Sequence, residues 1–418
     1  MNDALFNAAT HEARVAFVAE LAARLHNYGT SAQRLEGAID AVSRRLGMGC
    51  EAWSNPTGLI LSFSDPQHAE QPGSVRVIRL EPGEINLGRL AAADAIAEDV
   101  MAGRRDLASG HQALLALDRP ASVRGQVLTA FSFGLSAASV AGLLRTGWTD
   151  IATAAVIGWV IGALHVLGAK RARLSEAMEA LSALIATFLA AMTATFITPL
   201  SLKTVIVASL IVLMPGLTLT TAVTELSSKQ LVSGTARFAG ALMTLLSLTF
   251  GTVVAMQTVK MFGWQPKIAH GEALPWAVEL GALVVASYAF AVLFKASKRD
   301  YLLVMASVWL GWGLTQLGDL IFSRADDSFA GGVFFAGIGV ALVSNAYGRW
   351  FNRPGALVRV PGIILMVPGS VGFRSLSFVM QRDVMPGLNT GTALLSALIA
   401  LVAGLLFGNL IMPTRRNL

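Results

Sequence analysis

Long uncharged apolar segments constrain this chain more than any other feature. After residue 124 the sequence contains ten stretches, each of about 17 to 25 residues, with few or no charged side chains. A helix rises about 1.5 Å per residue, so about 20 residues cross the ~30 Å hydrocarbon core of a bilayer. The stretches are therefore predicted to span a membrane. They are Gln126–Leu144, Ile151–Ala169, Ala180–Leu202, Thr204–Thr224, Phe238–Val259, Ala273–Phe294, Tyr301–Gly318, Ser328–Gly348, Val360–Leu376 and Leu388–Met412.

The number of spans depends on one thin boundary. Only Pro199 and Lys203 separate the third stretch from the fourth. Ten spans are therefore predicted, with nine or eleven as alternatives. Composition agrees with a membrane protein, because charged residues make up 14% of the chain where a soluble protein carries roughly 25%. This excludes a disordered chain, a collagen-like chain and an ordinary soluble enzyme. The single cysteine, Cys50, excludes an intramolecular disulfide and argues against a thiolate metal site, and no metal or cofactor is expected.

Charge divides the chain at about residue 124. Residues 1–124 carry 12 Arg, no Lys and 15 acidic residues, whereas the apolar remainder has a net charge of +9. Basic residues between apolar segments are typical of membrane-protein loops and not of a nucleic-acid surface. With residues 1–124 inside, 15 Lys and Arg flank the spans on that side and 7 on the other. The positive-inside rule therefore predicts both termini in the cytoplasm, and no signal peptide is recognised at the start.

Residues 1–124 are predicted to form a small soluble α+β domain. Apolar residues at helical spacing indicate two helices, one ending near Gly29 and the next beginning with a capping box at Thr30 and Gln33. The other predicted elements are strands at Leu59–Phe63 and Val75–Leu80 and helices at Leu87–Met101 and Leu107–Leu117. No catalytic motif accompanies His26 or the other polar residues, so a regulatory or structural role is predicted rather than an enzyme.

An internal repeat is visible at an offset of 153 residues. Gly158-Trp159 recurs as Gly311-Trp312, and Pro215-Gly216 recurs as Pro368-Gly369. Two five-span halves, 125–262 and 273–412, would then enter the membrane in opposite senses, because five is an odd number. The fold class expected is thus an all-α polytopic membrane protein with a 5+5 inverted repeat. Many secondary transporters have this architecture, with the binding site at the repeat interface near the midplane.

Each Pro-Gly pair lies inside the fourth span of its half, where it is predicted to break the helix. A broken helix at membrane depth is tolerated only beside protein or a water-filled cavity. The half-helix after the break offers free N–H groups and about half a positive charge, which suits a carboxylate. A simple proline kink is the alternative for either pair alone. The substrate-binding candidates are Pro215, Gly216, Thr218, Thr221, Pro368, Gly369, Ser370 and Arg374.

Ionisable residues within the predicted spans are candidates for proton coupling or gating, because charge at membrane depth is costly. Glu225 and Glu279 are the better candidates, since a desolvated carboxyl can raise its pKa. Placement at the membrane interface is the alternative for each. The full set is Glu225, Arg237, Glu279, His165 and Asp319.

The order of motifs resembles the threonine/serine exporter family of bacterial secondary transporters. The resemblance covers nearly the whole chain, and its motifs are short. The residues that carry it are His26-Asn27-Tyr28-Gly29-Thr30 with Arg34 and Glu36, Arg79, Ile85-Asn86-Leu87, Met214-Pro215-Gly216, Thr224-Glu225-Leu226, Gly234, Arg237, Val367-Pro368-Gly369-Ser370, Gly372 and Arg374.

The resemblance implies export of small hydroxylated amino acids, driven by the proton motive force across a bacterial inner membrane. The expected partners are the amino acid, protons and the lipid bilayer, with a homo-oligomer left open and no nucleic acid. Some two-chain relatives in this family are linked to dicarboxylate export, so a dicarboxylate such as succinate is the alternative substrate, with Arg374 as its cationic partner. A membrane-anchored enzyme and a channel are further alternatives. Ten spans exceed what an anchor needs, and no run of carbonyls resembling a selectivity filter is evident.

Overall fold

The computed structural model of the protein describes residues 10–66, 73–118, 120, 122–169, 171–269, 274–322 and 330–414. Its first part is a small domain in which two helices cover one face of a three-stranded antiparallel sheet of order β1-β2-β3. The elements are α1 (His11–Asn27), α2 (Ala32–Arg45), β1 (Gly49–Asn55), β2 (Gly58–Ser64), β3 (Ser74–Arg79), α3 (Leu87–Met101) and α4 (Leu107–Ala116).

The predicted α+β character of the small domain is confirmed, with two local differences. Strand β1 was not predicted, because its sequence Gly-Cys-Glu-Ala-Trp-Ser-Asn has no apolar run; it forms because it pairs with the strongly apolar β2 along its whole length. The predicted capping box is wrong. The N-cap of α2 is Ser31 instead of Thr30, and no side chain of its own segment caps that helix.

The core of the small domain lies between the sheet and the helices. Leu59, Leu61 and Phe63 alternate along β2 and are buried on the helix-facing side of the sheet. They pack with Phe17 and Leu21 of α1 and with further apolar residues of α2 and α3. Burying side chains of this size contributes roughly 1.5–3 kcal/mol each to stability, before the entropy of ordering the chain is subtracted.

Eight helices in the described part of the chain are long and apolar enough to cross a bilayer. A ninth candidate span is a bent pair of helices, whose axes differ by 53°. The spanning helices are α5 (Val123–Leu143), α6 (Trp148–Gly168), α8 (Met178–Phe196), α11 (Leu231–Met261), α12 (Trp276–Leu293), α13 (Tyr301–Phe322), α14 (Gly331–Phe351) and α17 (Val384–Ile411). The bent pair is α9 (Leu202–Ser209) with α10 (Gly216–Ser227), and a short α7 (Ala172–Glu176) precedes α8.

The chain is therefore a multi-pass membrane protein, with eight or nine candidate spans among its described residues rather than ten. The predicted span Val360–Leu376 is divided between α15 (Ala356–Ile363) and α16 (Gly369–Met380). Each of these helices is too short to cross a bilayer alone, and five residues separate them.

Glycines at the 153-residue offset have corresponding surroundings. Gly234 of α11 lies against Ala222 and Leu226 of α10, and Gly387 of α17 lies against Ser375 and Val379 of α16. The neighbours of Gly387 are thus offset by the same 153 residues from those of Gly234. Helix packing is also reciprocal between the halves, since α11 contacts α16 and α17 contacts α10.

Helix α3 of the small domain packs against the helical bundle through hydrogen bonds and apolar contacts. The first N–H groups of α3, at Leu87 and Gly88, donate to the carbonyls of the two residues that follow α12, Phe294 and Lys295 (2.9 and 3.1 Å). Each helix end thereby satisfies groups that would otherwise lack partners. Apolar side chains of α3 share a buried cluster with α12, α13 and α15. The domain and the bundle thus form one continuous core at this point.

Candidate functional site

Two prolines interrupt the chain in the same way in the two halves. Pro215 has φ −81° and ψ 42° and is the N-cap of α10, while Pro368 has φ −86° and ψ 40° and is the N-cap of α16. In both breaks the glycine after the proline donates its N–H two residues back, to Met214 (2.9 Å) and to Val367 (3.0 Å). The prediction that a new half-helix starts after each Pro-Gly pair is confirmed by the structure.

The two breaks touch each other. A methyl group built on Gly216 would come within 3.2 Å of the Gly369 nitrogen, and one built on Gly369 would come within 2.9 Å of the Gly216 nitrogen. Glycine is needed at both positions because backbone approaches backbone at the first residue of each half-helix. The N-terminal ends of α10 and α16 therefore meet at one place, where the free N–H groups and positive ends of both helices lie close together.

A cavity of about 600 Å³ opens beside this meeting point. Its wall includes Pro215, Gly216 and Thr218 of the first break and Gly369 and Ser370 of the second. Small-molecule sites have volumes of about 300–1,000 Å³, so this central cavity is large enough for a small polar ligand. Most of the remaining wall is apolar and comes from α5, α12 and the 3₁₀ turn Ile211–Leu213.

Four ionisable side chains line the central cavity. Glu84 and Lys295 form an ion pair (2.8 Å) at the side facing the small domain. Burial raises the pKa of Glu84, but the Lys295 ammonium outweighs that effect and leaves the pKa below its usual range. Glu279 and His165 also line the cavity, and no hydrogen bond or ion pair engages the Glu279 carboxyl among the described residues. Within the described part of the chain, Glu279 is therefore a carboxyl group of the cavity wall without a protein partner.

The predicted substrate-binding residues do not all lie in this cavity. Six of the eight are at or beside the breaks, but Pro368 itself is buried behind Gly369 and is not part of the cavity wall. Thr221 lines a second cavity closer to the small domain. Arg374, predicted to hold a second carboxylate, is exposed on α16 and lines neither cavity.

Glu225 and Arg237 lie outside both cavities and join the bundle to the small domain. The Glu225 side chain is 1% exposed and accepts hydrogen bonds from Arg237 Nε (3.1 Å), Ser233 Oγ (2.7 Å) and the Ala32 backbone N–H (2.9 Å). The last bond caps the N-terminus of α2, which explains why that helix lacks a cap from its own sequence. Asp319, the remaining candidate, is exposed near the end of α13 and lines neither cavity.

A second contact between the domain and the bundle lies next to Glu225. Glu36 of α2 accepts hydrogen bonds from Gln230 Nε2 (2.6 Å) and from the Ser54 backbone (2.9 Å). Burial raises the pKa of Glu36, and the Glu225 carboxylate raises it further. His26, in contrast, has a structural position, buried with Nε2 at 3.1 Å from the Glu81 carbonyl oxygen. Sequence reasoning had no signal for these pairings, because the partners are nearly 200 residues apart along the chain.

Broken helices, a cavity at their meeting point and an apolar multi-span bundle define the class of this protein as a membrane transporter. Family comparison agrees with that class. Residues 16–259 match the model of a threonine/serine exporter family, and residues 279–411 match a second model described as threonine/serine exporter, ThrE. The chain belongs to the threonine/serine exporter family, as the sequence motifs indicated.

Curated relatives are distant and longer. The chain is 24% identical over 430 residues to pheromone-regulated membrane protein 10 of Zygosaccharomyces rouxii, with 94% of this chain and 42% of the relative covered. An uncharacterized protein of Schizosaccharomyces pombe is 22% identical, with 93% and 46% covered. The chain thus spans less than half the length of these relatives. No solved structure is detectably similar.

Proposed function

We propose that the protein is a secondary active exporter of small hydroxylated amino acids, threonine and serine in particular, driven by the proton motive force through alternating access. The observation that carries the proposal is the contact between Gly216 and Gly369 beside the central cavity. Two half-helix N-termini at one point provide N–H donors and positive potential for a carboxylate. The Thr218 and Ser370 side chains, which line the same cavity, are suited to the substrate hydroxyl.

An inverted repeat would account for the matching breaks. The equal dihedral angles of Pro215 and Pro368, the corresponding surroundings of Gly234 and Gly387, and the reciprocal packing of α10 with α17 and α11 with α16 support it. In such a fold one half can rock against the other around a fixed central site. We further propose that the small domain faces the cytoplasm, because the flanks on its side carry most of the Lys and Arg residues. A bacterial inner membrane stays a prediction, since the relatives from Zygosaccharomyces rouxii and Schizosaccharomyces pombe are yeast proteins.

The charges around the cavity favour an amino acid over a dicarboxylate. Glu84 and Lys295 neutralise each other, and Glu279 has no partner among the described residues. A substrate ammonium can pair with that group, or a proton can replace it, whereas a dianion would be repelled. Arg374, which a dicarboxylate was expected to need, is outside the cavity. Glu279 is therefore the proposed site where proton binding and substrate binding compete.

Transport by the purified protein in liposomes tests this function. Liposomes loaded with labelled threonine, serine or succinate are diluted into buffer with and without an imposed pH gradient. We expect faster efflux of threonine and serine with the gradient than without it, and no effect on succinate. Gradient-driven efflux of succinate alone would overturn the substrate assignment. Efflux that ignores the gradient for every substrate would overturn the proton coupling.

The matched variants are Glu279→Gln and Glu51→Gln. Glu279→Gln should retain exchange of threonine across the membrane but lose its response to the gradient, since an amide does not titrate. Glu51 is an exposed carboxylate on β1, far in sequence from the cavity residues, and its variant should behave as the wild type. A Glu279→Gln protein that still responds fully to the gradient would remove Glu279 from the mechanism.

A further inference from the structure

A second cavity, of about 330 Å³, lies between the small domain and the helical bundle. It is lined by the first turn of α2, by α10, by α15 and by the end of α17. Ile85 and Leu217 line both this domain-side cavity and the central cavity, so the two spaces are neighbours separated by these side chains.

Two arginines face the domain-side cavity, and among the described residues neither has a carboxylate partner. No hydrogen bond or ion pair engages the Arg34 guanidinium among the described residues, and burial lowers the pKa of Arg34 to about 10. Arg359 donates through Nη2 to the Asn345 and Asn409 side-chain oxygens (both 2.9 Å), which are neutral groups. Its Nε is buried and has no partner within the described chain.

Other partly buried arginines of this protein are paired differently. Arg24 bonds Glu20, Arg237 bonds Glu225, and Arg353 makes two bonds to Asp300. Removing a charge from water costs several kcal/mol unless a counter-charge compensates for it. Arg34 and Arg359 line the same cavity, where like charges oppose each other. An anion in that cavity would supply the missing compensation.

Neutral donors surround the same space. Thr30 is 8% exposed, lines the cavity, and has a buried hydroxyl without a partner among the described residues. Thr30, Ser31 and Gln33 place the start of the 14-residue helix α2 at the wall, where the Ala32 N–H is already bonded to Glu225 and the later N–H groups of the first turn remain. Donors thus approach from α2 on one side and from α15 on the other. A tetrahedral oxyanion can accept hydrogen bonds from both sides at once.

We infer that the domain-side cavity binds a phosphoryl group, held between Arg34 of the small domain and Arg359 of the bundle. The ligand chemistry is a phosphate carrying up to two negative charges, from free phosphate, a soluble phosphomonoester or a lipid headgroup. Such a ligand would neutralise both arginines and fasten α2 to α15 and α17. The site is separate from the amino-acid site proposed above and does not depend on it.

Binding to the purified full-length protein in detergent tests the site. The probe is inorganic phosphate, followed by titration calorimetry and by the shift in thermal unfolding temperature. Each lost guanidinium contact to a charged group should weaken binding about tenfold or more, so Arg34→Gln and Arg359→Gln should lose the shift. Arg76→Gln is the matched control, because Arg76 is exposed on β3 and its loss changes the net charge equally. The control also accounts for the general stabilisation that phosphate gives any protein.

Arg34→Gln gives a second readout. Without phosphate this variant should unfold at a higher temperature than the wild type, because it removes an uncompensated buried charge. Arg359→Gln loses hydrogen bonds to two asparagines and can fail to fold for that reason. In that case Arg34→Gln alone tests the proposal.

Two probes separate the sources of the phosphoryl group. Binding of inorganic phosphate to wild type and Arg76→Gln, but not to Arg34→Gln, supports the site with a soluble ligand. The lipid probe is a nanodisc that contains phosphatidic acid, compared with one that contains phosphatidylcholine alone. A higher unfolding temperature in phosphatidic acid, lost in Arg34→Gln and not produced by inorganic phosphate, supports the site with a lipid ligand. Failure of both probes, or equal binding by Arg34→Gln and wild type, overturns the proposal. Because no transport is measured, these outcomes are independent of the proposed export function.

Discussion

Substitution of Glu225 tests whether a membrane-helix carboxylate holds the small domain in place. Its three partners are an arginine, a serine hydroxyl and the Ala32 N–H, all bonded between 2.7 and 3.2 Å. Glu225→Ala leaves Arg237 without its carboxylate and removes the cap from α2. Breaking a buried ion pair costs about 3–5 kcal/mol, and loss of an N-cap costs about 1 kcal/mol. Arg237 is partly exposed, so solvent screening places the sum at its lower end, about 4 kcal/mol.

Hydrogen exchange and thermal unfolding measure this effect at separate places. We expect Glu225→Ala to lower the unfolding temperature and to speed exchange at the Ala32 amide, while amides of the β-sheet core keep their protection relative to global unfolding. Glu225→Gln retains an oxygen acceptor for Ala32 and should lose less, about 1.5–3 kcal/mol. Glu51→Gln is the exposed control and should change neither quantity. Unchanged exchange at Ala32 in Glu225→Ala would refute the capping role.

Three further predictions concern separate groups. Asp300→Asn removes the charge of the carboxylate that Arg353 bonds twice (2.6 and 2.8 Å) but keeps one oxygen acceptor. It should lower the free energy of unfolding by about 1.5–3 kcal/mol, measured by denaturant unfolding in detergent, and a change below about 1 kcal/mol would contradict this. Burial lowers the pKa of His26, so the unfolded state binds the proton more tightly and stability should fall as pH drops below about 6.5. His26→Gln should flatten that part of the stability–pH profile, and an unchanged profile would exclude His26. Gly134→Ala places a methyl group against the Trp159 ring and should destabilise the contact between α5 and α6. Gly281→Ala is the control, because its methyl group meets open space. Equal unfolding temperatures for the two variants would contradict this prediction.

The breaks of the helices were predictable because their cause is local. Proline removes an N–H donor and clashes with the preceding turn, which favours a helix break at Pro215 and Pro368. Pro361, in contrast, lies inside α15. The recurrence of Pro215 and Pro368 at one offset favoured a break over a simple kink in both halves, and each proline is the N-cap of a new helix. The span count was less predictable, because the second break leaves α15 and α16 short and Arg359 and Arg374 lower their apolar character.

Contacts between distant segments account for most of what the sequence did not show. Glu225 is predicted as a proton-coupling candidate because it ends an apolar stretch. Its hydrogen-bond partner at the start of α2 is 193 residues away and had no local signal. Arg359 was counted only as a flanking charge, and nothing in its neighbourhood indicated that it would share a cavity with Arg34. Strand β1 was missed for the same reason, since pairing with β2 and not its own composition makes it a strand.

Transport by Gly369→Ala tests most directly whether the contact between the two breaks forms the substrate site. A methyl group at this position would come within 2.9 Å of the Gly216 nitrogen and 3.1 Å of its Cα, so the two half-helices must move apart. Gly281→Ala, in α12, meets nothing within 4 Å and is the matched control. We predict that labelled threonine exchange in liposomes falls at least tenfold in Gly369→Ala and stays at the wild-type rate in Gly281→Ala, with both proteins equally folded. Exchange at the wild-type rate in Gly369→Ala would contradict the account.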